Sequence, residues 1–394
     1  MTTSTDFDLI IVGAGMVGAS LAASLRDQQL NILLVDKCLP KSQFKTEPHL
    51  RVSSINLGAI RWLKQQAIWP NLDPARLQPY TRLSAYEQNN CCIDFNASEV
   101  NEKQLGVFVE NEHLQQAALQ QASCQTVTGQ INHITPNDSG VEIALDNGDT
   151  YRCKLLVGAD GGHSYVAKQL KFAEKSWQYR QSCFSVIVEM QQRNEAAFQQ
   201  TWQLFRPQGP IAFLPLFANY ASLIVYDDPA KVQTYQGWNA SQVENLLQTL
   251  FADRLPQFKV ISYAGFKLAR RTIQQPYQHN TLLIGDAAHN IHPLAGQGVN
   301  LGLRDVAALS HLIKDKLAKQ QAWHTLDAFQ PYLKERKLDV EATSGAMDIT
   351  YKLFSNDIPL VKSLRKLALN SLNSVVPLKQ TALKFALGLN SPYV

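Results

Sequence analysis

The 394-residue sequence predicts an α/β fold in which a parallel-sheet nucleotide-binding domain is interleaved with an antiparallel-sheet domain and followed by C-terminal helices. Three observations carry that expectation. Apolar runs at 8–12, 155–157 and 282–284 each pass into a glycine-containing turn, as buried parallel strands do when they feed helices. Residues 173–270 change to short strands suited to a sheet with one wet and one apolar face. From Trp323 the apolar residues recur at helical spacing to the end of the chain.

Composition removes several classes. Hydrophobic residues make up 45% and charged residues 18%, which is ordinary for a globular protein. A net charge of +4, without an Arg/Lys stripe interleaved with aromatics, gives no case for nucleic acid. The opening MTTSTDFD has no basic residue before its first apolar run, unlike a secretory signal. No apolar run approaches the roughly 20 residues that span a bilayer. Cys38, Cys91, Cys92, Cys124, Cys153 and Cys183 contain no C-x-x-C and read as reduced thiols of a cytoplasmic protein. His289 and His292 have a spacing that metals sometimes use. They lack a third ligand nearby, so no metal is expected.

The first strand, 8–12, runs into Gly13-Ala-Gly15-Met-Val-Gly18 and then a helix with a small-residue face. A second strand, 31–35, ends in Asp36. This is a Rossmann-like βαβ start. Gly13 permits the tight turn, Gly15 lets a pyrophosphate approach the backbone, and Gly18 lets helix and strand pack. Asp36 stands where an acid meets ribose hydroxyls and repels a 2′-phosphate. Residues 61–72 read as a helix, 81–95 as a strand pair turning at Asn89-Asn90, and 109–122 as a helix. Val141, Ile143 and Leu145 alternate into an Asp146-Asn147-Gly148 hairpin. The hairpin feeds a strand that ends at Asp160-Gly161, at the carboxyl end where open sheets place ligands. Strands follow at 183–190, 201–205, 211–216 and 221–226, then a helix at 239–255. Phe213, Leu214 and Tyr226 are the residues placed near an apolar substrate; the same residues also suit plain sheet core. In the stretch 282–309 a short strand ends at Gly285-Asp286. A loop with Pro293, Gly296 and Gly298 follows, then a helix with Leu303, Val306, Leu309 and Ile313 on one face. A helix N-terminus behind a glycine loop suits an anionic group, and Asp286 is placed to accept hydrogen bonds from sugar or ribityl hydroxyls.

The wording of these segments adds to their spacing. GDAAH, Pro293 and AGQGVNLGLRD, with RVSSIN at 51–56, Asp160-Gly161 followed by Ser164, and GPIAFLPL at 209–216, resemble the FAD-dependent aromatic monooxygenases. Within them they look most like the hydroxylases of ubiquinone biosynthesis, and the resemblance covers nearly the full chain. It implies a p-hydroxybenzoate-hydroxylase-like architecture. The FAD-binding domain would comprise 1–72, 106–172 and 271–322, the substrate domain 73–105 and 173–270, and a helical region 323–394. It implies FAD as cofactor, NAD(P)H as electron donor, and hydroxylation of a polyprenylated phenol with O2 through a flavin C4a-hydroperoxide, with no side-chain nucleophile.

By the same resemblance Arg51 meets the FAD pyrophosphate, as bidentate Arg–phosphate pairing favours, and Val127 passes the adenine. Asp160, Gly298 and Asn300 join Gly13, Gly15, Gly18, Asp36 and Asp286 at the cofactor. The backbone at Pro293 and Gly296 lies by the reacting edge of the flavin. In one place the sequence departs from the family: the pattern after Asp160-Gly161 ends in Val-Arg, whereas here Ala167 follows Val166. That bears on contacts with the electron donor.

Residues 358–394 hold Lys362, Arg365, Lys366, Lys379 and Lys384 and no acid, a side-chain charge of +5. Leucines at helical spacing interleave them. This tail is expected to dock the enzyme peripherally at the inner face of the membrane or to a biosynthetic assembly; alternatively its leucines pack on the catalytic domain or on a second copy in a homo-oligomer. Two other functional readings stay open: an FAD reductase of prenyl chains with the same fold, and an idle flavin-bearing scaffold.

Overall fold

Residues 5–40, 44–87, 90–251, 254–291, 296–354 and 376–393 are described by the computed structural model. The all-apolar run after Asp8 becomes the central strand Thr5–Val12, with Leu9, Ile10 and Ile11 fully buried. It pairs in parallel with Ile32–Asp36 on one side and Thr150–Gly158 on the other. Gln125–Thr128 and Thr281–Leu283 extend the parallel sheet outward, Tyr277–Gln278 adds an antiparallel edge, and the hairpin strands Ile131–Asn137 and Gly140–Leu145 branch from it. Helices Met16–Ser24, Asn111–Gln121 and Gln297–Ala318 share one core cluster with these strands. The carboxyl ends of Thr5–Val12, Thr150–Gly158 and Thr281–Leu283 thus stand side by side, each followed by a glycine turn.

The second sheet has eight strands in the order His289–Asn290, Phe258–Ile273, Glu174–Met190, Tyr220–Asp227, Ile211–Pro215, Gln200–Phe205, Arg82–Glu87, Asn90–Asn96. It is antiparallel apart from one parallel pair, Gln200–Phe205 with Arg82–Glu87. Its first strand belongs to the GDAAH segment, so the two sheets meet at the predicted cofactor motif. Helices Pro229–Gln236 and Ala240–Phe251 cover one face through Val232, Val243, Leu247 and Phe251. Val52–Asn56, Gly106–Glu110 and Gln78–Tyr80 form a small third sheet.

Several expectations shift. The helix assigned to 61–72 runs Leu57–Gln65, because Asn56 caps it by accepting from the Ala59 N–H at 3.0 Å. The helix assigned to 109–122 starts at Asn111, because Val109 and Glu110 are held as strand opposite Ser53 and Val52. The strand Phe258–Ile273, 16 residues long, had no clear signal; its middle and end are half-exposed on both faces, so no clean alternation marks it. The C-terminal region is helical at Leu326–Phe354 and Val376–Ala386. Among the described residues no helix is long and apolar enough to cross a membrane. Cys38, Cys124, Cys153 and Cys183 are free thiols.

Candidate active site

Where the two sheets meet, one cavity of about 880 Å³ opens. This falls within the range of cofactor and substrate pockets. One end is a polar cradle, the other a largely apolar chamber on the antiparallel sheet.

The cradle is built by loops at strand ends. Gly13 and Gly15 line it, and a side chain at Gly15 would meet nothing within 4 Å. Gly18 does not face the cavity; a Cβ there would run into the Gly13 carbonyl, so it permits helix-to-loop packing. Gly15 caps its helix without a side-chain bond, which leaves the first N–H groups directed at the cradle. Asp36 lines the same space and braces the loop, accepting from the Ala14 N–H at 2.6 Å and the Cys38 N–H at 3.0 Å. Gln115, whose amide donates to the Ala14 carbonyl at 2.8 Å, is a lining residue that the sequence did not single out. Arg51 is exposed at the cavity.

Asp160 accepts from the backbone N–H groups of Tyr165 at 2.7 Å and Val166 at 3.1 Å through one oxygen. Its other oxygen, Oδ1, is buried without a partner among protein atoms. Burial raises its pKa against the hydrogen bonds from Ser164 and the backbone. Ala167, where the family has Arg, is 3% exposed in the apolar cluster beneath the parallel sheet. That environment suits Ala and would bury a guanidinium.

Asp286 opens onto the cavity from a 3-10 turn, Gly285–Ala287. It sits deep enough that burial raises its pKa, with His289 and Arg51 opposing and Asp305 reinforcing. Asp305, unnoticed in the sequence, holds this turn. It is 1% exposed, accepts from the Gly285 N–H at 2.8 Å, lies 2.5 Å from His289 Nε2, and accepts from Arg336 Nε at 2.7 Å. Burial alone would raise its pKa. The charges of His289 and Arg336 and the hydrogen bonds outweigh that and hold it well below the usual carboxylate range. Arg336 also pairs with Asp339, which accepts from Arg304 at 2.7 Å, so helix Leu326–Phe354 is tied to the GDAAH turn. Arg271 adds a second tie, donating to the carbonyls of Gly162 at 3.1 Å and Ala287 at 2.9 Å. In the sequence the doubled Arg270-Arg271 before this segment was visible, while the acid of LGLRD carried no mark of its burial.

Gly296 and Gly298 line the cavity. Gly296 adopts φ +63, and a Cβ there would press on Ser54 at 3.2 Å. Asn300 does not face the cavity. It is 1% exposed and joins loops, accepting from the Asn56 N–H at 2.9 Å and donating to the carbonyls of Ser54 at 2.8 Å and Gly296 at 3.0 Å. Val127 is also absent from the lining. It turns its side chain into the apolar cluster beneath the sheet, and Gly129 and Gln130 line the cavity at that edge. Pro293 lies outside the described residues.

Strand alternation decides the chamber. Ala212 and Leu214 line it, so Phe213 between them points to the opposite face. There Phe213 is 1% exposed and stacks on Trp202 at 6.0 Å, which corrects its assignment to the substrate. Tyr226 does line the chamber, with Cys183, Ile224 and Leu268. Burial pushes the Cys183 thiol up to about 12 and the Tyr226 hydroxyl well above its ordinary value. Both stay neutral near pH 7, so this wall carries no charge of its own.

A nucleotide cradle at the carboxyl ends of parallel strands, opening into an apolar chamber on a second sheet, defines a cofactor-dependent enzyme that works on an apolar substrate. The chain belongs to the family described as FAD binding domain, whose model matches residues 6–343. It is 36% identical over 393 residues to the 3-demethoxyubiquinol 3-hydroxylase of Escherichia coli (strain K12), covering 98% of this chain and 100% of that one. It is 28% identical to the ubiquinone biosynthesis monooxygenase COQ6, mitochondrial, of Danio rerio, over 96% and 89% of the two chains. Among solved structures, p-nitrophenol 4-monooxygenase PnpA from Pseudomonas putida DLL-E4 superposes with a TM-score of 0.82 at 14% identity, covering 100% of both chains. PqsL from P. aeruginosa superposes at 0.76 and 19%, over 93% and 100%. The protein is thus an FAD-dependent monooxygenase. The cradle fits that cofactor: open space at Gly15, an orphaned carboxylate oxygen on Asp160, and Asp286 open to the cavity.

Proposed function

We propose that this enzyme hydroxylates the ring of a polyprenylated quinol on the path to ubiquinone, in the reaction for which its Escherichia coli relative is named: 3-demethoxyubiquinol at ring position 3. The near-complete coverage of that relative at 36% identity carries the reading, and the largely apolar chamber supports it. O2 and a reduced pyridine nucleotide are the co-reactants; one oxygen atom enters the ring and the other leaves as water. FAD, when bound, supplies the oxygen-activating redox chemistry.

The chain does the rest. The loop of Gly13 and Gly15 and the helix behind it receive the pyrophosphate, aided by Arg51, while Asp36 faces the adenosine ribose. Asp286 accepts from ribityl hydroxyls, and Asp160 Oδ1 takes a donor from the cofactor. Gly296 and Gly298 lie by the reacting edge. Leu214, Ile224, Tyr226 and Leu268 exclude water from it. Segments 1–72, 106–172 and 271–322 form the cofactor domain and 73–105 with 173–270 the substrate domain. Within region 323–394, helix Leu326–Phe354 buttresses the GDAAH turn through Arg336. Its exposed Leu378 and Phe385, beside Lys384, offer a small amphipathic contact for an anionic membrane surface.

A decisive test is expression in a strain lacking 3-demethoxyubiquinol 3-hydroxylase, followed by mass spectrometry of its quinols. Loss of accumulated 3-demethoxyubiquinol and return of ubiquinone are expected; continued accumulation overturns the reading. Substrate-dependent O2 uptake by the purified holoenzyme separates it from a prenyl-chain reductase, which consumes none.

A further inference from the structure

Large apolar side chains left in water on a folded protein call for an explanation when they also line a cavity. Phe266 is such a residue. It is 40% exposed, yet it lines the chamber with Leu268. The two stand on the same face of strand Phe258–Ile273, and Leu268 is 8% exposed. Moving from Leu268 to Phe266 therefore passes from the chamber's interior to its rim. Phe266 lies directly opposite Cys183 on the neighbouring strand, and Cys183 and Tyr226 continue the wall inward. Lys267 and Ala269, exposed beside it, complete this stretch of rim.

Volume gives the rim its meaning. The 880 Å³ must hold FAD as well as the substrate ring. A polyprenyl chain attached to that ring cannot be stored inside and has to cross the rim. The wall it would follow is apolar from Leu214 and Ile224 to Leu268, and Phe266 is the large apolar side chain where that wall meets solvent.

We infer that Phe266 is a specificity-determining residue that grips the substrate's isoprenoid tail where it leaves the chamber. The inference rests on the polyprenyl-quinol reading above and goes beyond it by fixing the tail's exit. An aromatic ring here shelters the first isoprene units from water, and burying that much apolar surface is worth several-fold to tenfold in affinity.

The test compares ring substrates carrying a long prenyl chain, a single isoprene unit, or none, in detergent, with Phe266→Ser, Phe266→Leu and wild-type holoenzymes matched for FAD content. In wild type, affinity read from quenching of protein fluorescence rises with chain length. In Phe266→Ser the ratio of long-chain to short-chain affinity falls about tenfold, mirrored in KM rather than kcat, and Phe266→Leu recovers most of it. A purely structural role would weaken all ring substrates alike, which overturns the inference, as does an unchanged ratio. Wild-type affinity that ignores chain length overturns the polyprenyl reading itself. Chain-length preference that survives in Phe266→Ser overturns only the exit.

Discussion

Asp286 and Asp305 belong to one stretch of sequence and have opposite electrostatic fates. Asp286 faces the cavity with a raised pKa; Asp305 is paired on all sides with a depressed one. A bound hydroxyl donor prefers the ionised Asp286, so Asp286→Ala should weaken FAD binding by about 1–3 kcal/mol while leaving the apoprotein folded. Titration of apoprotein with FAD measures this. The raised pKa values of Asp286 and Asp160 add a pH signature: both take up protons above the ordinary aspartate value of about 3.9. FAD affinity should therefore fall as pH is lowered toward the ordinary aspartate range, beginning above it, and a flat profile would show that neither carboxylate contacts the cofactor. Asp305 acts with the other sign. Its folded-state pKa is depressed, so its stabilisation is full above about pH 4 and is lost as pH drops below that, which acid unfolding followed by circular dichroism would register. These residues also mark the limits of sequence reading. Asp36, Asp160 and Asp286 were legible because each stands at the carboxyl end of an apolar strand, Asp36 at the expected distance after the Gly13–Gly18 motif and the other two beside a glycine. Asp305 was not, because nothing in a helical LGLRD tells a solvated acid from one that a distant Arg336 reaches.

The element that depends most on that distant contact is helix Leu326–Phe354. Replacing Arg336 with Leu leaves the buried Asp305 and the half-buried Asp339 with one cation fewer, and should cost about 3–5 kcal/mol in denaturant unfolding. The C-terminal helix Val376–Ala386 divides its apolar residues between two environments. Leu383 and Leu387 are 4% exposed in a cluster with Leu57 and Phe108, and the Gly58 N–H donates to the Leu387 carbonyl at 2.8 Å. Leu378 and Phe385 are exposed. Leu383→Ala should thus destabilise the protein by about 2–4 kcal/mol. Leu378→Asp with Phe385→Asp should leave the melting temperature within a few degrees while reducing sedimentation with anionic vesicles. The packing expectation for the tail holds at Leu383 and Leu387; the stretch 355–375, with most of the tail's positive charge, lies outside the described residues. Spacing alone gave no means of dividing these leucines, since both faces of the helix carry apolar residues.

Across the whole molecule, local patterns revealed elements and their order better than partners. The central parallel strands were legible because both of their faces are buried and their side chains are apolar, whereas the exposed edge strand Gln125–Thr128, with the sequence QTVT, carried no such signal. The chamber-facing strands were legible as strands, but which parity faced the chamber was not: Phe213 and Leu214 read alike until the helices Pro229–Gln236 and Ala240–Phe251 claim one face. The long strand Phe258–Ile273 escaped notice because it connects the domains and is half-solvated on both sides.

The alternation across the antiparallel sheet has an evolutionary corollary. Odd and even positions of Ile211–Pro215 answer to different selective pressures, one set to the helices behind and the other to whatever ring occupies the chamber. Chamber-side positions such as Ala212 and Leu214 face that ring and not the helices behind the sheet. Descendants of such a scaffold could thus acquire new aromatic substrates by alternate-residue substitution in a few strands, while inheriting the flavin machinery intact.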